Sequence, residues 1–219
     1  MELHFLNIAL HVVAGASALG CGLAAMAVVK GGRLHRSAGR AFAGFGAFVL
    51  ITALIGVTVF DGPAPLAAAL LAVAYQYLSS LRALAMKAKG PGWIDVGLAV
   101  AGFVACVYYW RTMGEGTPSW SPAIGYSTLG PVVVLIVYDL SRHAWRDAWL
   151  RHVRPFDHGV KMTNVYFGML SAGVGNTFRD FHPWSQLLPT ALGLIVVVAL
   201  VLAHVKRRRD HACPARAIH

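Results

Sequence analysis

Seven apolar stretches divide this chain. Each is long enough, or nearly so, to cross about 30 Å of hydrocarbon as a helix, which takes roughly 20 residues. They run over approximately 5–29, 41–60, 66–86, 93–113, 123–140, 160–178 and 187–205. Lipid offers no partner to a bare backbone N–H or C=O, and the runs lack the alternation of a barrel strand, so the spanning elements must be helices. The expected fold is all-α: a polytopic transmembrane bundle of seven helices, one domain over residues 1–205, followed by a basic tail at 206–219. Hydrophobic residues make up 57% of the chain and charged residues 13%, against about 25% charged in soluble domains. That leaves too few polar side chains to clothe a water-facing globule.

The connections are short and rich in turn residues, as in Lys30-Gly31-Gly32, Asp61-Gly62-Pro63-Ala64-Pro65, Lys89-Gly90-Pro91-Gly92 and the stretch from Glu115 to Pro122. Short connections make sequence neighbours antiparallel partners. Alternate connections and the tail hold 17 of the 19 Lys and Arg. These are Lys30, Arg33, Arg36 and Arg40; Arg82, Lys87 and Lys89; Arg142, Arg146, Arg151, Arg154 and Lys161; then Lys206, Arg207, Arg208, Arg209 and Arg216. Only Arg111 and Arg179 fall on the opposite side. Positive charge is retained in the cytoplasm, so the N-terminus is expected outside and the C-terminus inside. A six-helix alternative, with 160–178 re-entrant because Gly173, Gly175 and Asn176 weaken that run, would put the basic tail outside. The formal charge of +10 does not mark a nucleic-acid binder, because the basic residues sit in short clusters between apolar runs. Such clusters suit anionic lipid at the cytoplasmic face. A membrane-protein partner or a further copy of the chain is the other kind of partner this surface allows.

Residues 141–154 read as a short interfacial helix. Trp145, Trp149 and Val153 recur at helical spacing beside Arg142, Arg146, Arg151 and Arg154, which would lay an apolar stripe in the headgroup plane; the other reading is a basic surface segment that serves orientation only. Cys21, Cys106 and Cys213 form no metal-ligand or disulfide pattern. No cleavable signal peptide is expected, since the N-terminus lacks a basic segment. No Walker loop, HExxH or GxSxG motif is present.

Four constellations carry polar chemistry. Asn7 and His11 share a face of the first helix with Ala14, Gly15, Ala18 and Gly22. An intramembrane histidine is a metal or haem ligand or a proton carrier in one reading. In the other it is a neutral ring bonded to a neighbouring helix. In the sixth run, His158, Met162, Val165, Met169, Ala172 and Asn176 form one stripe. Imidazole and thioether suit haem iron or copper, although methionine at this spacing is more commonly core filling. His204 in the last helix could share a depth with His158. His11, His158, Met162, Met169, Asn176 and His204 are therefore the candidates for a cofactor site or polar cavity. At the cytoplasmic rim, His35, Arg82, Asp95, Asp139, Arg142 and His143 are expected to form ion pairs. Asp139 in particular sits at a helix C-terminus, where the dipole disfavours it unless it is paired. Gln76 needs a partner or lines a cavity. Tyr108, Tyr109, Trp110, Trp120 and Trp184 read as an outer aromatic belt. No metal site is indicated.

Five stretches together resemble the domain of unknown function 2306 family of bacterial multi-pass membrane proteins. The first runs from Leu10-His11-Val12-Val13-Ala14-Gly15 on to Lys30-Gly31-Gly32-Arg33-Leu34-His35-Arg36-Ser37-Ala38-Gly39-Arg40. Gly92-Trp93-Ile94-Asp95 and Tyr138-Asp139-Leu140 follow. Next come His158 with Met162, Ser171-Ala172 and Asn176, and then Trp184 with Leu187-Leu188-Pro189-Thr190 and Gly193. The resemblance implies a bacterial cytoplasmic (inner) membrane location and assigns no activity. It draws attention to His11, Asp95, Asp139, His158 and Asn176.

Three function classes fit these residues: a non-catalytic membrane subunit or sensor, a haem- or quinone-linked redox protein, and a transporter of a small solute or metal ion. Helical bundles host all three. The first is favoured because the chain lacks a complete catalytic set.

Overall fold

The computed structural model describes residues 1–86, 88–114 and 122–212. Lys87, Trp120, the turn centred on Gly116 and Pro118, Cys213 and the rest of the tail lie outside the described residues. Among those described, every regular element is helical. The long helices are α1 (Glu2–Ala27), α2 (Arg33–Thr58), α3 (Ala64–Ala85), α4 (Trp93–Gly114), α5 (Pro122–Ser141), α7 (Arg154–Thr177) and α8 (Trp184–Ala212). A short α6 (Arg146–His152) joins α5 to α7, and a single 3-10 turn (Arg179–Phe181) precedes α8. Two helices begin more than a full turn before their apolar runs. α2 starts at Arg33, because Arg33, Arg36 and Arg40 are good helix formers that a lipid-crossing pattern does not count. α7 starts at Arg154, with a proline in its first turn where the missing N–H costs nothing.

Among the described residues, five helices are long and apolar enough to cross a membrane: α1, α2, α3, α4 over Trp93–Arg111 and α8 over Trp184–Arg209. α5 is apolar over the shorter stretch Gly125–Ser141. The surface is apolar to match: Val12, Val13, Ile51, Leu54, Val104, Val134, Leu194 and Ile195 are all exposed. Exposed side chains of this kind, together with charged residues in the interior, reverse the polarity of a soluble protein and mark a multi-pass membrane protein.

α3 is the hub. It packs against α2, α4, α5 and α7, while α1 lies on α2 and α7, and α8 rests on α7. Two apolar clusters flank it. One joins Ala14, Ala18, Phe42, Val49, Val73, Tyr77, Val165, Tyr166, Phe167 and Met169. The other joins Ala68, Ala72, Tyr75, Ala99, Cys106, Leu129, Val132 and Ile136. Tyr75 and Tyr77 leave α3 on different sides. The Tyr77 hydroxyl donates to the Ala43 carbonyl of α2 at 2.7 Å, and the Tyr75 hydroxyl donates to Asp139 of α5 at 3.0 Å.

Hydrophobic burial gives little drive between helices in lipid, so close packing must hold them, and glycine opens the space for it. Aromatic rings of neighbouring helices lie on glycines: Tyr75 on Gly102, Tyr166 and Phe42 on Gly22, and Phe167 on Gly193. A Cβ at Gly102 would stand 2.8 Å from Tyr75 Cδ2 and 3.3 Å from Ile136 Cδ1. One at Gly97, on the same helix, would meet nothing within 4 Å. Gly102→Ala is therefore expected to destabilise the protein by about 1–3 kcal/mol through overpacking, and Gly97→Ala is not. Thermal unfolding of both variants in detergent checks the contrast.

Candidate functional site

The most polar part of the interior lies where the C-terminal turns of α3, the end of α5 and the first turns of α7 meet. Asp139 lies in the last turn of α5, and Arg142 follows three residues later. α7 carries Asp157 and, one turn on, Lys161. All four side chains are buried: Arg142 is 1% exposed and Lys161 is fully covered. They form a closed ring in which each cation touches both anions. Lys161 Nζ is 2.5 Å from Asp139 Oδ1 and 3.2 Å from Asp157 Oδ1. Arg142 reaches Asp139 Oδ1 through Nη2 and Asp157 Oδ2 through Nη1, both at 3.2 Å.

The surrounding groups add further bonds to the ring. Tyr75 and Ser79, one turn apart on α3, both donate to Asp139 Oδ2. Lys161 Nζ donates to Ser79 Oγ at 2.8 Å. Arg142 Nε donates to the Asp139 backbone carbonyl at 3.2 Å, so it also covers an end carbonyl of α5. The Tyr138 ring faces the Lys161 ammonium at 5.2 Å, and the Trp149 ring faces the Arg142 guanidinium at 5.0 Å. Two positive and two negative side chains leave no net charge in the ring. An isolated buried ion costs several kcal/mol, and only mutual pairing with full hydrogen bonding offsets this.

Other polar groups make separate, local attachments. Arg82 binds Asp95 through Nη2 at 2.9 Å and Nε at 3.2 Å. Asp95 Oδ2 also accepts the Gly92 N–H at 2.9 Å, closing the first turn of α4 in the manner of a capping box. His11 Nδ1 lies 2.9 Å from Thr52 Oγ1, and Asn7 donates to the Thr52 carbonyl at 3.1 Å, so both tie α1 to α2. His158 Nδ1 lies 2.8 Å from Ser80 Oγ. Gln76 donates to the Ala72 carbonyl of its own helix at 3.1 Å. The His204 ring stacks on Phe156 at 4.3 Å, with its Nε2 buried and unbonded.

These positions correct several sequence expectations. His35 and His143 take no part in ion pairs. Their rings bond the carbonyls of Ala25 and Leu140 near the ends of α1 and α5, where such carbonyls lack helical partners. The α7 stripe does not line one polar cavity: Val165 and Met169 fill the core, Met162 packs against it, and Asn176 is exposed beside Arg179. His158 is bonded to α3 while His204 lies on Phe156, so the two imidazoles do not face one another. Trp149 is fully buried, so the stripe of residues 141–154 turns inward onto Arg142. An indole gains more from a desolvated guanidinium than from the headgroup plane. Lys161 belongs to the interior, not to the basic rim. Two spacings point to the ring from sequence alone, Asp139 with Arg142 and Asp157 with Lys161, each an opposite-charge pair within one helical turn.

Among the described residues no three His, Cys, Asp or Glu side chains are grouped to hold a metal ion. No protein-family model, curated protein or solved structure matches this chain.

Removing one member leaves an uncompensated buried charge. Lys161→Met is expected to cost about 3–5 kcal/mol. Adding Asp139→Asn restores balance and should recover at least about 1 kcal/mol of that loss. Denaturant unfolding of the singles and the double in micelles measures the coupling, and strictly additive losses would contradict the ring.

Proposed function

We propose that this chain is a non-catalytic integral membrane protein, a subunit or a sensor, crossing the bilayer seven times with its N-terminus outside and its C-terminus in the cytoplasm. The observation that carries the non-catalytic reading is the closed charge ring. Every carboxylate and cation in it is engaged by another side chain of the same chain, so its chemistry is spent on holding α3, α5 and α7 together. The seven-span reading is supported by the seven long helices among the described residues and by the concentration of Lys and Arg in alternate connections and the tail of the sequence. α7 carries Asp157, Lys161 and Thr163, and all three are buried within the bundle. The resemblance to the domain of unknown function 2306 family supports a bacterial cytoplasmic membrane, whose anionic lipid suits the basic end.

A second reading, transport of a small solute or ion, draws on the ionisable side chains within the bundle, which are costly in lipid unless they serve function or packing. Flux into liposomes equal to that of empty vesicles, over a broad solute and metal-ion panel, counts against it. The non-catalytic reading predicts that the protein extracted natively runs in an assembly larger than a monomer and shows no turnover of its own. A lone monomer carrying a haem absorbance or a redox activity would overturn it. For orientation, a reporter fused after Arg209 is expected to be cytoplasmic and one inserted at Asp61 external. Finding both on one face would end the seven-span arrangement.

A further inference from the structure

α6 is only seven residues long, Arg146–His152. Isolated helices below about 12 residues are marginal in water, so it depends on outside attachments. A break in the helical backbone precedes it at Trp145 (φ −128°, ψ 33°), whereas at Val153 (φ −117°, ψ −33°) the bonds Val153 N–H to Trp149 and Asp157 N–H to Val153 lead it into α7. Only the Trp149 side chain is buried within it. Arg146, Asp147, Ala148, Arg151 and His152 are exposed, and Leu150 is half-buried. Two long-range attachments hold it. The Trp149 indole lodges against Ala83 and Met86 of the α3 end and donates from Nε1 to the Tyr138 hydroxyl at 3.2 Å. Arg146 Nη2 donates to the Lys89 carbonyl in the α3–α4 turn at 2.7 Å. The same indole lies 5.0 Å from the Arg142 guanidinium. One side chain of a seven-residue helix, hinged on α7 at Val153, therefore covers one corner of the charge ring.

We propose that α6 is a lid latched by Trp149, and that its opening admits water to the ring of Asp139, Arg142, Asp157 and Lys161. With the lid closed, the four charges attract one another in a poorly screened interior. With it open, water raises the local dielectric and weakens every pair at once. The junction of α3, α5 and α7 loosens as a result. An event on the exposed face of α6 would thus be felt inside the bundle. This inference goes beyond the membrane reading and depends on neither the orientation nor the class of partner.

The test uses the full chain in lipid nanodiscs. Hydrogen exchange of the unaltered protein should show α6 amides exchanging at least about a hundredfold faster than those in the middle of α5 and α7, the pattern of local opening. Acetylation by a water-soluble succinimidyl ester, read by mass spectrometry, should leave Lys161 unmodified while exposed Lys206 reacts. In Trp149→Ala, Lys161 should react at least about tenfold faster as the open state becomes populated. Val49→Ala, which thins the separate apolar cluster around Tyr77 and leaves the Trp149 seat intact, should leave Lys161 protected. Exchange of α6 in step with α7 would overturn the lid. So would reaction of Lys161 in the unaltered protein, no gain in Trp149→Ala, or equal gains in the two variants. If Trp149→Ala does not fold, exchange of the unaltered chain decides alone.

Discussion

Four charges that cancel one another organise the interior of this protein. A lone lysine or aspartate in a dry interior is costly enough to unfold a domain or to be neutralised. Here Lys161 and Arg142 each face both Asp139 and Asp157, and the ring forms only when the end of α5, the start of α7 and the last turns of α3 are in register. The ring therefore specifies an arrangement more than it adds stability. An apolar interior would tolerate α7 rotated or shifted by a turn, whereas this one leaves an ion unpaired if it moves. The Tyr75 hydroxyl and Ser79 extend the same demand to the rotation of α3.

The rest of the bundle relies on shape. Aromatic rings seated on Gly22, Gly102 and Gly193 bring helices closer than side chains on both partners would permit. Tyr75 belongs to both systems: its ring is held by Gly102 of α4, and its hydroxyl meets Asp139 of α5. A change at Gly102 is thus felt in the charge ring without touching a charge. Polar attachments elsewhere are local and pairwise, such as Thr52 with His11 and Asn7, or Arg82 with Asp95.

Helical content and the approximate extent of the long helices are legible in the sequence, because hydrocarbon imposes length and apolarity on every spanning segment. The charge ring is legible only in part. The helix dipole argues that Asp139 needs a cation, and Arg142 is within its reach. Counting Lys161 among the rim charges hides the second cation, since a lysine near a basic loop reads as surface unless its depth and facing are known. The inward turn of Trp149 is hidden for a related reason. A helical stripe of aromatic residues looks alike whether lipid or a guanidinium lies beneath it. The methionine stripe on α7 shows the reverse hazard, where donor atoms at regular spacing belong to the core.

The ring also orders events during synthesis. Ribosomes deliver the chain from its N-terminus, so Ser79 and Asp139 are made before Lys161, which follows Asp139 by 22 residues. Until α7 arrives, Asp139 has only Arg142 and two hydroxyls to answer its charge, and the pocket between α3 and α5 stays incomplete. A nascent chain stopped after α5 holds a half-built junction that favours waiting over premature closure. α7 is then the keystone, the segment whose docking commits the earlier helices to their final places.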